Sequence, residues 1–230
     1  MDYRYIDENY KRITDGIAAA SEYSPSNRAP QMLVSVKYAE MPEIEHLVRT
    51  HGVRLVGENR VQQLLERYED LKALGVDIHF IGSLQTNKVK YVIDKVTLIQ
   101  SLDRIELARE IDKQARKRGI VMDVLVEINS GREENKSGLY PEDVEAFCEQ
   151  ISSFSGIRLR GFMTMAPKCE KNIEYLKYFC ETYKLVLDIW QKKLHNISIP
   201  IISMGMSDSY AEAICAGATM VRIGRGMFNK

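Results

Sequence analysis

The chain has 230 residues, 45% of them hydrophobic, enough to bury a substantial core within a single domain. Its 32 basic and 32 acidic side chains cancel, so no net field gathers nucleic acid or an anionic membrane. The acidic start MDYRYIDENYKRITDG lacks the basic flank and apolar run of a signal peptide, and no stretch approaches the ~20 apolar residues of a membrane span, so a cytoplasmic chain is expected.

Ile6, Tyr10, Ile13 and Ile17 recur at helical spacing, which predicts an opening amphipathic helix that ends near Ser24 and Pro25. Short β-branched runs follow at 32–36, 54–56, 78–81, 96–99, 121–128, 157–160, 199–203 and 220–223. Between them lie the helical patterns PEIEHLVRT, ENRVQQLLERYEDLKAL, TNKVKYVI, DRIELAREIDKQARKR, PEDVEAFCEQIS, NIEYLKYFCETYKLVLDIWQKKL and SYAEAICAG. Pro42 and Pro141 fall in first turns, Asp103 is placed to cap a helix from Arg104, and Gly75, Gly119 and Gly217 mark helix ends. Strands alternating with helices predict parallel β-α-β units, and eight of them close into a (β/α)8 TIM-type barrel. The sequence stops shortly after the eighth strand, so no final helix is expected and the opening helix should cover part of that gap. An open doubly wound sheet is the alternative, but no G-x-G-x-x-G opens any βα turn.

Cys148, Cys169, Cys180 and Cys215 form no C-x-x-C pair, which suits structural thiols in a reducing compartment. His46, His51, His79 and His195 show no metal-ligand spacing, so no metal site is expected. The densest basic run, KQARKRG at 113–119, falls at a helix end without interleaved aromatics and reads as a solvated terminus.

In a parallel barrel the polar residues past the strand C-termini converge on one face. Here they are Lys37, Glu58 and Asn59, His79 with Gly82 and Ser83, Ser101, Asn129 and Ser130, Met163 and Thr164, Ser203 to Ser207, and Gly224 with Arg225. Lys37 ends the apolar run MLVSV, where burial would favour a neutral amine able to attack an aldehyde; a paired or snorkelling charge is the plainer reading. SMGMSD and RIGRG combine glycine with polar residues after strands seven and eight, the loops where barrels often bind phosphate. Ordinary βα turns would also use glycine there.

With LVSVK, VGENRVQ, HFIGSLQTNK, SLDR, VEINSGREENKSGL, LRGFMTMAP and SMGMSDSYAEAICAGATMVRIGRGMF in order along nearly the whole chain, the sequence resembles a known family. It is similar to the pyridoxal 5′-phosphate (PLP) homeostasis proteins, which share the barrel of alanine racemase. The resemblance implies PLP as cofactor, with Lys37 as its Schiff-base lysine. It implies Ser203, Met204, Gly224 and Arg225 around the phosphate, Arg222 at the pyridine nitrogen, and Asn59, His79 and Met163 along the ring. Tyr38, Ala39 and Glu40 depart from the family's usual pattern after the lysine, Ile78 stands where Trp is common, Asn229 where Gly is usual, and Arg225 replaces a frequent Thr or Ser.

Arg222 opposite the pyridine nitrogen would weaken the cofactor as an electron sink, because guanidinium only donates hydrogen bonds and repels a protonated ring. Alanine racemase, with a similar arginine, adds a second domain that brings a tyrosine base. The sequence has no counterpart to it. A role in carrying, buffering or delivering PLP, with apo-enzymes as recipients and a monomeric chain, is therefore expected over turnover. The alternatives are a PLP-dependent racemase or lyase using a base such as Tyr38, and a phosphate-binding barrel without PLP in which Lys37 is structural. Lys136 in EENKSGL reads either as a surface lysine or as a second, transient attachment point.

Overall fold

The computed structural model describes residues 2–26, 29–192 and 200–230. Eight parallel strands close into a barrel in sequential order: β1 (Gln31–Ser35), β2 (Leu55–Glu58), β3 (Asp77–Phe80), β4 (Leu98–Leu102), β5 (Met122–Ile128), β6 (Ile157–Thr164), β7 (Ile201–Ser203) and β8 (Met220–Ile223). Register at the seam is Gln31 with Met220 through Val34 with Ile223, so β1 and β8 pair along nearly their full lengths. The helices are α1 (Arg4–Ser21), α2 (Met41–His51), α3 (Val61–Ala73), α4 (Val89–Val92), α5 (Ile105–Lys117), α6 (Val144–Ile151), α7 (Asn172–Gln191), α8 (Tyr210–Cys215) and α9 (Arg225–Phe228).

Strand alternation divides the side chains into two populations. The outward set, such as Val34, Val56, Phe80, Ile99, Val124, Phe162, Ile202 and Val221, packs under the helices in the main core. The inward set is smaller and layered: Leu33, Leu55, Ile81 and Met220 form one apolar patch, and Leu98, Leu125 and Met163 another, both touching Ile201. Gly57 keeps this interior open to close packing, because a Cβ there would stand 2.4 Å from Leu33 Cδ2. Gln100, Ser203 and Arg222 occupy polar inward positions beyond these layers.

The expected elements stand, with local differences. β2, β4 and β6 run further than their apolar runs, so Glu58, Ser101, Met163 and Thr164 lie inside strands rather than after them. α1 stops at Ser21, ahead of Ser24 and Pro25. Asp103 does not cap α5; Arg104 is the N-cap and Asp103 pairs with its guanidinium at 2.5 Å. Gly75, Gly119 and Gly217 follow α3, α5 and α8 at φ of +67°, +67° and +110°. A final helical turn, α9, does form, and α1 packs on it: Asn9 Nδ2 donates to Met227 O and Asn229 O, and Arg12 to Gly226 O. Ile199, the last residues of the pattern NIEYLKYFCETYKLVLDIWQKKL and His195 lie outside the described residues.

Candidate functional site

Lys37 lies two residues past β1, half-buried, with Nζ 4.8 Å from the centroid of the Tyr38 ring. That ammonium is also the main reason the Tyr38 phenol falls below its ordinary pKa, with Arg225 and Arg60 adding to the effect. The burial expected of Lys37 from its apolar run is thus only partial. The distinction of this lysine is the company it keeps in a cavity of about 340 Å³ at the C-terminal mouth of the barrel.

That cavity is lined by Lys37, Asn59, Arg222, Gly224 and Arg225, five of the residues expected from sequence, together with Ser35, Tyr38, Met165, Ser207 and Ser209 among others. Asn59 is held by Ser35, whose Oγ donates to Asn59 Oδ1 at 3.1 Å. The loops after β7 and β8 are tied to each other by Ser207, whose Oγ accepts from the amides of Gly224 and Gly226 at 3.3 and 3.1 Å. Gly205 supports the first of those loops at φ +87°, where a Cβ would stand 2.5 Å from Ala213 Cβ. Arg225 is largely exposed and reaches toward Asp208 at 3.6 Å.

Arg222 is the buried centre of the site. Its Nη1 donates to Ser203 Oγ at 2.8 Å and its Nη2 to the Thr164 carbonyl at 2.9 Å. Ser203 Oγ in turn donates to Gln100 Oε1 at 2.7 Å, and Gln100 Nε2 lies 2.9 Å from His79 Nδ1. Burial lowers the Arg222 guanidinium to about 10, against the opposing pull of Glu127, so it remains a cation at neutral pH. The same burial drives His79 down to about 4 and leaves it a neutral ring. Glu127 is pushed up to about 7 by burial and the nearby Asp103, with Arg222 and Arg104 opposing.

The other expected residues sit elsewhere. The side chains of His79, Met163 and Ser203 are buried in the barrel and that of Met204 in the core beneath the helices; none of them lines the cavity, and the Met204 amide is engaged with Met220 O. Lys136 is exposed in the loop after β5 and does not line the cavity. Sequence reasoning missed Gln100, which carries the hydrogen-bond chain; its signal was the inward alternation Leu98, Gln100. It also missed Ser207 as the link between two loops, for which linear sequence holds no signal.

The family model described as "Alanine racemase, N-terminal domain" matches residues 9–229. A pyridoxal phosphate homeostasis protein of Aquifex aeolicus (strain VF5) is 40% identical over 223 residues, 97% of each chain. The solved structure of PipY of Synechococcus elongatus PCC7942 with PLP bound matches with a TM-score of 0.83 at 26% identity, over 97% of this chain and 100% of that one. An alanine racemase of Clostridium difficile 630 matches with a TM-score of 0.77 at 18% identity, over 99% of this chain and 57% of that one, a likeness of fold alone.

Proposed function

The chain belongs to the alanine racemase N-terminal domain family and, within it, with the pyridoxal phosphate homeostasis proteins, and from that premise we propose that it binds PLP at the barrel mouth and carries, buffers or delivers it. The observation that carries this reading is the convergence of a primary amine, a buried guanidinium and two serine- and glycine-bearing loops on one cavity. Its volume of about 340 Å³ falls within the ~300–1,000 Å³ of small-ligand sites.

These residues fit the cofactor group by group. Lys37 offers the amine that an aldehyde requires. Ser207, Ser209, Gly224 and Arg225 surround the side of the cavity suited to a phosphate, with Arg225 adding positive charge at the rim. Arg222 offers guanidinium N–H donors to a ring nitrogen, and Ser203 and Thr164 hold it in place. Asn59 lines the cavity, while His79 supports Arg222 from within the barrel through Gln100 and Ser203. When bound, PLP supplies an electrophilic carbonyl and an electron-withdrawing ring.

The choice of arginine favours holding over turnover. PLP enzymes that break bonds at an α-carbon usually set a carboxylate against the ring nitrogen. Arg222 remains charged at neutral pH and only donates, which disfavours protonation of that nitrogen. The same reading has the chain acting as a cytoplasmic, single-domain monomer that passes the cofactor to apo-enzymes. Four free cysteines accord with a reducing compartment, and among the described residues no helix is long and apolar enough to cross a membrane.

Absorbance of the PLP-reconstituted chain, borohydride reduction and peptide mass spectrometry test the proposal, with Lys37→Ala as control. A band in the ~420 nm region and a reduced adduct on Lys37, both lost in the variant, are expected. Absence of band and adduct in the parent chain would leave a phosphate-binding barrel without PLP. A racemase reading draws on Tyr38, whose phenol Lys37 holds below its ordinary pKa. It requires exchange of a substrate's α-proton in deuterated water at about 1 s⁻¹ or faster. Much slower exchange is expected.

A further inference from the structure

Outside the barrel mouth, α1 and α2 bring together three side chains that are distant in sequence. Asp7 lies in the first turn of α1, and His46 and His51 lie on α2. Asp7 Oδ1 is 2.7 Å from His46 Nε2 and 2.6 Å from His51 Nε2. The ligand-capable atoms of all three lie within 4.8 Å of one another. Both imidazoles are mostly shielded, with side-chain exposures of 19% and 17%.

The two rings are held from their far sides. Tyr3 packs against His46 at a centroid distance of 4.8 Å, and Tyr10 stacks on His51 at 4.2 Å. Thr50 Oγ1 lies 3.3 Å from His46 Nδ1. This is the outer contact that orients a metal-binding histidine, because a ring that coordinates through Nε2 carries its proton on Nδ1 and donates it to a neighbour.

We propose that Asp7, His46 and His51 form a three-ligand site for a divalent transition metal of the zinc class, with water completing a tetrahedral shell. Two imidazoles and one carboxylate suit zinc, whereas magnesium and calcium prefer all-oxygen shells. Metal–ligand bonds of about 2.0–2.2 Å place tetrahedral ligand atoms about 3.4 Å apart, so the present N···O separations of 2.6 and 2.7 Å need widen by less than about 1 Å. Binding needs no net proton release from neutral histidines: the Nε2 proton of each ring is lost as Nδ1 gains one. The metal would clamp α1 to α2. α1 already holds α9, which follows Gly224, and α2 follows Lys37, so the clamp joins segments on both sides of the cavity.

The test uses tag-free, cofactor-free chain, with zinc titrated against a chromophoric chelator at neutral pH. The parent chain is expected to take up one zinc that His46→Gln/His51→Gln binds at least about 10-fold more weakly. Cys169→Ser/Cys180→Ser/Cys215→Ser is expected to keep it. Cobalt should give visible ligand-field bands without a thiolate charge-transfer band, and zinc but not magnesium should raise the parent's Tm over its value in EDTA. The cobalt and Tm readings need only the parent chain and stand even if the histidine variant does not fold. No uptake by the parent, uptake unchanged in the histidine variant, or a thiolate band would each overturn the proposal.

Discussion

Glu58→Gln should invert the usual expectation that losing a paired carboxylate weakens a protein. Glu58 is completely buried on β2, and Arg67 of α3 stands 3.1 Å from its Oε1. Neither carboxylate oxygen has an aligned hydrogen-bond donor among the described residues. Burial therefore outweighs the attraction of Arg67 and the weaker pull of the nearby but poorly aligned Asn59 backbone N–H, and raises the Glu58 carboxyl from 4.5 to about 7. A pKa higher in the folded chain than in the unfolded one contributes stability that is complete below 4.5 and is lost as pH climbs through about 7. Between pH 5 and pH 8 that loss amounts to about 2–3 kcal/mol, or roughly 5–10 °C in Tm for a chain of this size. Glutamine keeps the shape and removes the titration. Arg67 retains the Val36 and Ala39 carbonyls as acceptors, and any cost of its lost partner is the same at every pH, an offset rather than a slope. Urea unfolding of cofactor-free parent and variant at pH 5, 6, 7 and 8 measures the difference directly. Glu127, raised similarly, cancels because both chains contain it. A stability difference that stays flat within about 0.5 kcal/mol over that range would refute the reasoning.

Ser203→Ala removes the acceptor for Arg222 Nη1 and the donor to Gln100, so unfolding free energy should fall by about 1–3 kcal/mol in denaturant titration. The same variant should hold PLP less tightly in an absorbance titration, because the guanidinium loses one of its two anchors. Gly161→Ala demands a side chain at φ +148° and a Cβ 2.0 Å from Ile201 O, so a loss of about 4 kcal/mol or more, seen as insoluble or early-melting protein, is expected.

The barrel was legible because its outward residues are β-branched and its helices amphipathic, and these two periods alternate without interruption. β8 fell at Met220–Ile223 as expected, although it carries Arg222, because the alternation Met220, Arg222 survives a charged residue. β2, β4 and β6 came out short because Glu58, Ser101 and Thr164 resemble loop residues, yet the strand continues where a neighbouring strand can still pair. Asp103 failed as a cap because its carboxylate finds a stronger partner in the adjacent guanidinium. The convergence of Lys37, Asn59, Gly224 and Arg225 followed from barrel geometry, since strand ends share one face, whereas Arg222, inside β8, was placed only by the family resemblance. The rest depended on packing. Nothing linear joins Asp7 to His46 and His51 before α1 lies against α2, and histidine spacing alone therefore reported no site.

The chain from Arg222 through Ser203 and Gln100 to His79 runs in one direction. The guanidinium gives to a hydroxyl, the hydroxyl to an amide oxygen, and the amide nitrogen to a ring kept neutral down to about pH 4. Reversing any link would leave two donors or two acceptors face to face, so the wall is wired with a single polarity across the whole physiological range. The floor of the cup consequently has no spare orientation to adopt when the cavity fills. Accommodation falls to the rim, where Tyr38, Met165 and Met206 stand 65%, 42% and 42% exposed on rotatable side chains. A rigid seat beneath a compliant collar lets the mouth adjust to an occupant while the barrel itself stays unchanged.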